Sequence, residues 1–191
     1  MVVVIPCFNE EHVIDSLQSL LNCDLPSLKV EIIVVVNCSE KASLETKDFQ
    51  TSTHNSIESF AKGNRAINIH SILRTELPKK HAGVGLARKI GMDEAAYRLE
   101  QSNVSNKLII CYDADSACDS NYLLEIEKHF CSNPTANGAS IYYEHPLEGE
   151  EFDKEIYRGI INYELFLRYY NLGLNIAKLP YSYHTVGSSM A

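Results

Sequence analysis

No two of the six cysteines stand in a CxxC pair, and most lie in or beside apolar runs. They read as reduced, mostly buried thiols of a cytoplasmic protein, at most peripheral to the inner face of a membrane. No apolar run approaches membrane-spanning length. No basic stretch precedes an apolar core at the amino terminus, so no signal peptide is visible. Positive charge is scarce: 17 Lys and Arg against 25 Asp and Glu give a net charge of −8. That balance argues against nucleic acid or an anionic membrane as the main partner. It also means that an anionic ligand needs a metal or a local basic patch. There is no internal repeat and no low-complexity tract. What remains is a chain of 191 residues, 45% apolar, enough for one domain with a sizeable core.

The patterning predicts alternating strands and helices. Residues 1–5 read as a buried strand that Pro6 stops, with Asn9 as the cap of a helix whose face is Val13, Ile14, Leu17, Leu20 and Leu21. Residues 30–36 read as a second buried strand, making a right-handed βαβ unit with parallel strands. Residues 37–64 read as a loop with one short helix near 54–62, and residues 66–73 as a weaker strand. A basic loop at Pro78, Lys79, Lys80 and His81 precedes a helix from Gly83 to about Gln101, with a small-residue face at Ala87, Gly91 and Ala95. Residues 107–112 read as the central strand, and a helix with stripe Tyr122, Leu123, Ile126 and Phe130 follows. A strand at 139–143, an acidic loop at 145–155 and a long helix with stripe Ile156, Ile160, Tyr163, Leu167 and Tyr170 complete the pattern. The last segment, 177–191, reads as extended or irregular. The fold class expected is α/β, a doubly wound, mostly parallel sheet with helices on both faces.

The chemistry concentrates at residues 108–116, an apolar run ending in Asp113 and Asp115. On extended backbone these two carboxylates share a face just past a strand's carboxyl end, where open α/β sheets bind ligands. Oxygen ligands so placed suit Mn²⁺ or Mg²⁺ bridging to phosphates. The alternative is that Asp113 caps a turn and Asp115 the next helix. GVGLAR at 83–88 is not a dinucleotide fingerprint, because Arg88 fills the third glycine position and a loop separates it from the strand. ICYDADS also falls too late in the chain, and continues wrongly, for a haloacid-dehalogenase nucleophile.

Four segments together, VVIPCFNE at 3–10, IVVVNCS at 33–39, GVGLARKIG at 83–91 and YDADS at 112–116, resemble the family 2 glycosyltransferases. The resemblance spans residues 2–191. It implies the A-type glycosyltransferase fold and a metal-assisted, inverting transfer from a UDP- or GDP-sugar to a saccharide, lipid-linked or small-molecule acceptor. It implies a nucleotide-sugar-binding part at 1–116 and an acceptor-side part at 117–191. In the first part Pro6, Phe8, Asn9 and Glu10 would hold the nucleoside, with helix capping as the other role of Asn9 and Glu10. Asn37 and Ser39 stand where the family usually has an Asp that reads the base, which opens the base preference. Arg88 would pair with the donor diphosphate; Lys79, Lys80, His81 and Lys89 are expected to face solvent. Asp113 would touch ribose or metal, and Asp115 would ligate the metal. The family's acidic Glu-Asp base follows a segment like 184–191, so the general base is expected beyond Ala191. Glu144, Glu148, Glu150 and Glu151 are expected to serve an acceptor-side loop instead. Two other functions share this fold: a sugar-phosphate nucleotidyltransferase, whose glycine-rich basic first loop is absent from 3–10, and a non-catalytic nucleotide-sugar-binding domain.

Overall fold

A computed structural model describes every residue except Arg65, Ser105, Tyr181, His184, Thr185, Val186 and Ser188. The expectation for 177–191 therefore lies partly outside the described residues. The chain divides into two compact units, residues 1–137 with Ala191, and residues 138–190.

The first unit is a four-stranded parallel sheet of order β3-β2-β1-β4. In chain order it contains β1 (Val2–Cys7), α1 (Val13–Leu21), β2 (Glu31–Ser39), α2 (Leu44–Gly63), β3 (Asn68–Leu77), α3 (Val84–Gln101), β4 (Ile109–Cys111) and α4 (Tyr122–Ser132). The continuous β-branched runs of β1 and β2 are buried on both faces, as a sheet covered by helices requires. On one face Val2, Val4, Ile33 and Val35 pack against Ala87, Ala95 and Leu99 of α3. The small face of α3 allows a close approach: a Cβ at Gly91 would fall on Val4 Cγ1. Connections through α1 and α2 run outward along the sheet, whereas α3 carries the chain back across to β4. Right-handed crossovers therefore put α1 and α2 on the face opposite α3. The strand order reverses between β1 and β4, which makes their carboxyl ends the topological switch point.

Several expectations are corrected. Pro6 does not stop β1; it pairs with Val35, and the strand runs to Cys7. Val2 donates its N–H to Leu108 and Val4 accepts from Tyr112, so the even positions of β1 face β4. Proline's missing N–H at position 6 faces the side where β4 has already ended, so no ladder bond is lost. Asn9 does not cap α1, which starts at Val13; it sits at φ 50° and accepts from Gln50 Nε2 at 2.8 Å. The short helix expected near 54–62 is the end of one 20-residue helix, Leu44–Gly63, which replaces most of the expected loop and is capped by Ser43 Oγ accepting from Thr46 N–H at 3.1 Å. Its buried positions are Gln50, Thr53 and Ile57, so a mostly polar buried face hides the helical period. Strand β4 lies at the edge of the described sheet rather than at its centre.

In the second unit, α5 (Lys154–Ile176) is the dominant element. The expected strand at 139–143 reduces to one antiparallel bridge, Ser140 with Met190. Only Tyr157 and Glu164 of α5 are buried, and Ile156, Tyr163 and Tyr170 are exposed. The least exposed positions include Tyr157, Ile160, Glu164, Leu167 and Asn171, so the helix is as expected but its inward face is turned from the expected stripe, which shares only Ile160 and Leu167 with it. Glu164 instead accepts from His145 Nδ1 at 2.6 Å and lies 3.5 Å from Arg168 Nε. No described helix is long and apolar enough to cross a membrane.

Candidate nucleotide-binding site

A cavity of about 630 Å³ opens at the carboxyl ends of β1, β2 and β4. Strand β1 contributes Pro6 and Cys7, and the turn after it contributes Phe8 and Glu10. That turn is held by Glu10 Oε1 accepting the His12 N–H at 2.8 Å. Strand β2 contributes Asn37, Cys38 and Ser39 where its pairing with β3 becomes irregular. Asn37 is 2% exposed, and its Oδ1 has no hydrogen-bond partner among the described residues. A buried acceptor left open beside a cavity is costly unless something fills it. Across the cavity lie Gly83 and Val84 at the amino end of α3, whose free N–H groups favour an anion.

Asp113 and Asp115 line the same cavity. Extended alternation is not what brings them together, because Ser116 N–H closes a turn onto the Asp113 carbonyl at 3.3 Å. The turn is fixed from α1, where Ser16 Oγ donates to the Ala114 carbonyl at 2.7 Å. Asp113 Oδ1 accepts from Arg88 Nη2 at 2.7 Å. Asp115 is exposed and makes no hydrogen bond or ion pair among the described residues.

Of the residues expected to bind donor or metal, Pro6, Phe8, Glu10, Asn37, Ser39, Asp113 and Asp115 line this cavity, and Asn9 and Arg88 do not. Lys79 does line it, as do Lys41, Ala42 and Thr46, which sequence reasoning passed over. They escaped because 37–53 reads as a loop ahead of the short helix; a Ser43 cap followed by Glu45 was the available signal. The charges on the wall are Glu10, Asp113 and Asp115 against Lys41 and Lys79. Burial pushes the Cys7 thiol up to about 12, with Glu10 adding to the shift, and burial also raises Cys38. Both are neutral thiols at pH 7 and offer no nucleophile.

An open, doubly wound α/β domain with its cavity at the topological switch point is the class that fold and site define. The family model "Glycosyl transferase family 2" matches residues 2–180. The chain belongs to that family. A putative polypeptide N-acetylgalactosaminyltransferase 10 from Caenorhabditis briggsae is 34% identical over 119 residues, which is 61% of this chain and 16% of that protein. The crystal structure of S. aureus TarS 1–349 superposes with a TM-score of 0.51 at 17% identity, covering 80% of this chain and 38% of that one. TarS 1–349 in complex with UDP-GlcNAc gives 0.50 at 17% identity, covering 80% of this chain and 36% of that one. The chain thus spans well under half the length of these relatives. The A-type glycosyltransferase fold is common to them.

Proposed function

We propose that this domain holds the donor of a nucleotide-sugar-dependent glycosyltransferase, transferring a sugar from a uridine or guanosine diphospho-sugar to an acceptor hydroxyl with inversion. The observation that carries the reading is one cavity joining the buried amide of Asn37, whose Oδ1 has no partner among the described residues, to the carboxylates Asp113 and Asp115. The Asn37 amide offers an acceptor and a donor side by side, which suits the N3–H and a carbonyl of uracil. Phe8, 55% exposed on the cavity wall, offers its ring to the base. The diphosphate then lies toward Gly83, Val84, Lys79 and the carboxylate turn. Residues 1–116 serve the donor and residues 117–191 the acceptor side.

A divalent cation fits the donor set. Asp115 has an unengaged carboxylate, and one oxygen of Asp113 remains beside the Arg88 pair. No group of three or more His, Cys, Asp or Glu able to hold a metal occurs among the described residues. Two carboxylates completed by phosphate oxygens and water are what Mg²⁺ or Mn²⁺ accepts. A cation held there would neutralise charge on the departing diphosphate. The chain's own contribution is positional: Ser16 fixes the turn, Arg88 orients Asp113, and Asn37 orders the base. The acceptor hydroxyl attacks the anomeric carbon as the diphosphate leaves, which needs no protein nucleophile.

Calorimetry with UDP tests this. In Mn²⁺ the wild-type chain binds UDP more tightly than without metal, and Asp115→Ala removes that difference while leaving the fold intact. An unchanged affinity in Asp115→Ala, with and without Mn²⁺, would overturn the reading. Hydrolysis of UDP-sugars by the wild-type chain distinguishes a transferase from a binder.

A further inference from the structure

Two thiols sit beside the carboxylate turn without belonging to the cavity. Cys23 follows α1 by two residues, Cys118 follows Asp115 by three, and their Sγ atoms are 3.6 Å apart. We propose that Cys23 and Cys118 are a hydroperoxide-sensitive pair whose closure to a disulfide ties the turn carrying Asp113 and Asp115 to the end of α1.

The backbones are already held for this. Asp24 N–H donates to the Ser120 carbonyl at 2.7 Å, and Ser16 Oγ to Ala114 at 2.7 Å. Closing the sulfurs from 3.6 Å to a bond of about 2.05 Å is a short approach between segments that these two bonds already hold together. The two thiols differ in their surroundings. Cys118 is half-buried, with Cys23 Sγ beside it and Ser19 Oγ at 3.7 Å, and Ser19 is in turn 3.2 Å from Tyr112 Oη. Hydrogen bonding from Cys23, then from Ser19 and Tyr112, draws the Cys118 thiol below its ordinary value against the effect of burial. Cys23, buried and bonded to Cys118, is held protonated. Cys118 is the more exposed of the two, so it is the sulfur a peroxide reaches first, and Cys23 behind it is the resolving one.

The chemistry balances with one hydroperoxide. The Cys118 thiolate attacks a peroxide oxygen, the O–O bond breaks, and the expelled hydroxide takes a proton. The resulting sulfenic acid is attacked by the Cys23 sulfur; the S–S bond forms, the S–O bond breaks, and water leaves with the Cys23 proton. Two thiols lose two electrons and the peroxide becomes two waters. Cys7, Cys38 and Cys111 are buried, and their thiols are raised by burial, so they do not compete. Cys131 is exposed and serves as an internal reference.

The reduced, purified chain is titrated with hydrogen peroxide, alkylated under denaturing conditions and digested with trypsin without reductant. Peptides 1–29 and 108–128 should then appear joined, two hydrogens lighter than their sum, with fragmentation placing the link at Cys23 and Cys118 rather than Cys7 and Cys111. Dithiothreitol should separate them, and Cys118→Ser should abolish the link and leave Cys23 alkylated. Amide exchange over residues 113–119 should slow in the linked chain and recover on reduction. Cys23 and Cys118 both alkylated at a peroxide dose that oxidises Cys131 would overturn the pair. Unchanged exchange in the linked chain would overturn the tie.

Discussion

Removing the Asp113 carboxylate strands a cation. The Arg88 side chain is 15% exposed, its Nε has no partner among the described residues, and its Nη2 donates to Asp113 Oδ1 at 2.7 Å. In Asp113→Ala the guanidinium stays in place with its charge uncompensated, at a cost of about 2–4 kcal/mol. The reverse change is milder. Asp113 is 37% exposed, so in Arg88→Met water reaches the carboxylate while methionine keeps the apolar stem packed. That variant should lose about 1 kcal/mol. The double variant removes the stranded charge and should be more stable than Asp113→Ala alone, so the two costs do not add. Asp115→Ala, at an exposed carboxylate without a partner among the described residues, should stay within about 0.5 kcal/mol of wild type. Urea unfolding of the four variants without nucleotide or metal reads these differences, and a chain of this size should also shift its melting point by about 2–4 °C per kcal/mol. Equal losses in Asp113→Ala and Arg88→Met, or strict additivity in the double variant, would refute the view that Arg88 acts by holding Asp113. If Arg88 instead contacts the diphosphate itself, Arg88→Met should weaken UDP far more than uridine even in an Asp113→Ala background.

Three further outcomes follow from the packing. Gly91→Ala should destabilise by about 1–3 kcal/mol despite alanine's better helix propensity, because the new methyl collides with Val4 and meets Val35 Cγ2 at 3.2 Å; an unchanged urea midpoint would show that α3 lifts freely from the sheet. Buried Glu127 accepts from Ser27 N–H, Ser27 Oγ and Leu28 N–H, and although burial opposes it, these bonds hold its carboxyl below the ordinary range. A depressed folded pKa means its stabilisation is complete above the unfolded value of about 4.3 and is lost as pH falls through the folded one. Glu127→Gln should therefore flatten the acid limb of the stability profile, and an unaltered limb would contradict the assignment. Asn37→Leu should weaken UDP by about 1–3 kcal/mol while sparing inorganic diphosphate; equal losses would remove Asn37 from base recognition.

The apolar runs at β1 and β2 were legible because a strand buried on both faces needs every side chain apolar, whichever way it points. The small face Ala87, Gly91, Ala95 was legible for a similar reason: close helix–sheet packing excludes bulk at those positions. Helix α2 was not, since its buried face carries Gln50 and Thr53, whose burial depends on partners such as Asn9 that lie far off in sequence. Lys41 and Thr46 were lost with it. The α5 helix was legible but its stripe was not, because one of the two positions it buries is the polar Glu164, held by His145, while Ile156, Tyr163 and Tyr170 are exposed.

By itself the sequence determined the alternation of strands and helices, and with it the parallel sheet. It also marked the strand ends where Asn37, Asp113 and Asp115 stand, because local periodicity and turn residues encode these. Tertiary structure decided which strand ends became neighbours. The return of α3 across the sheet placed β4 beside β1 and opened the cavity between them. It also set Arg88 against Asp113 rather than on the cavity wall, and Cys23 against Cys118 across 95 residues of chain. Such pairings arise from the crossover's handedness and from packing, and no local pattern contains them.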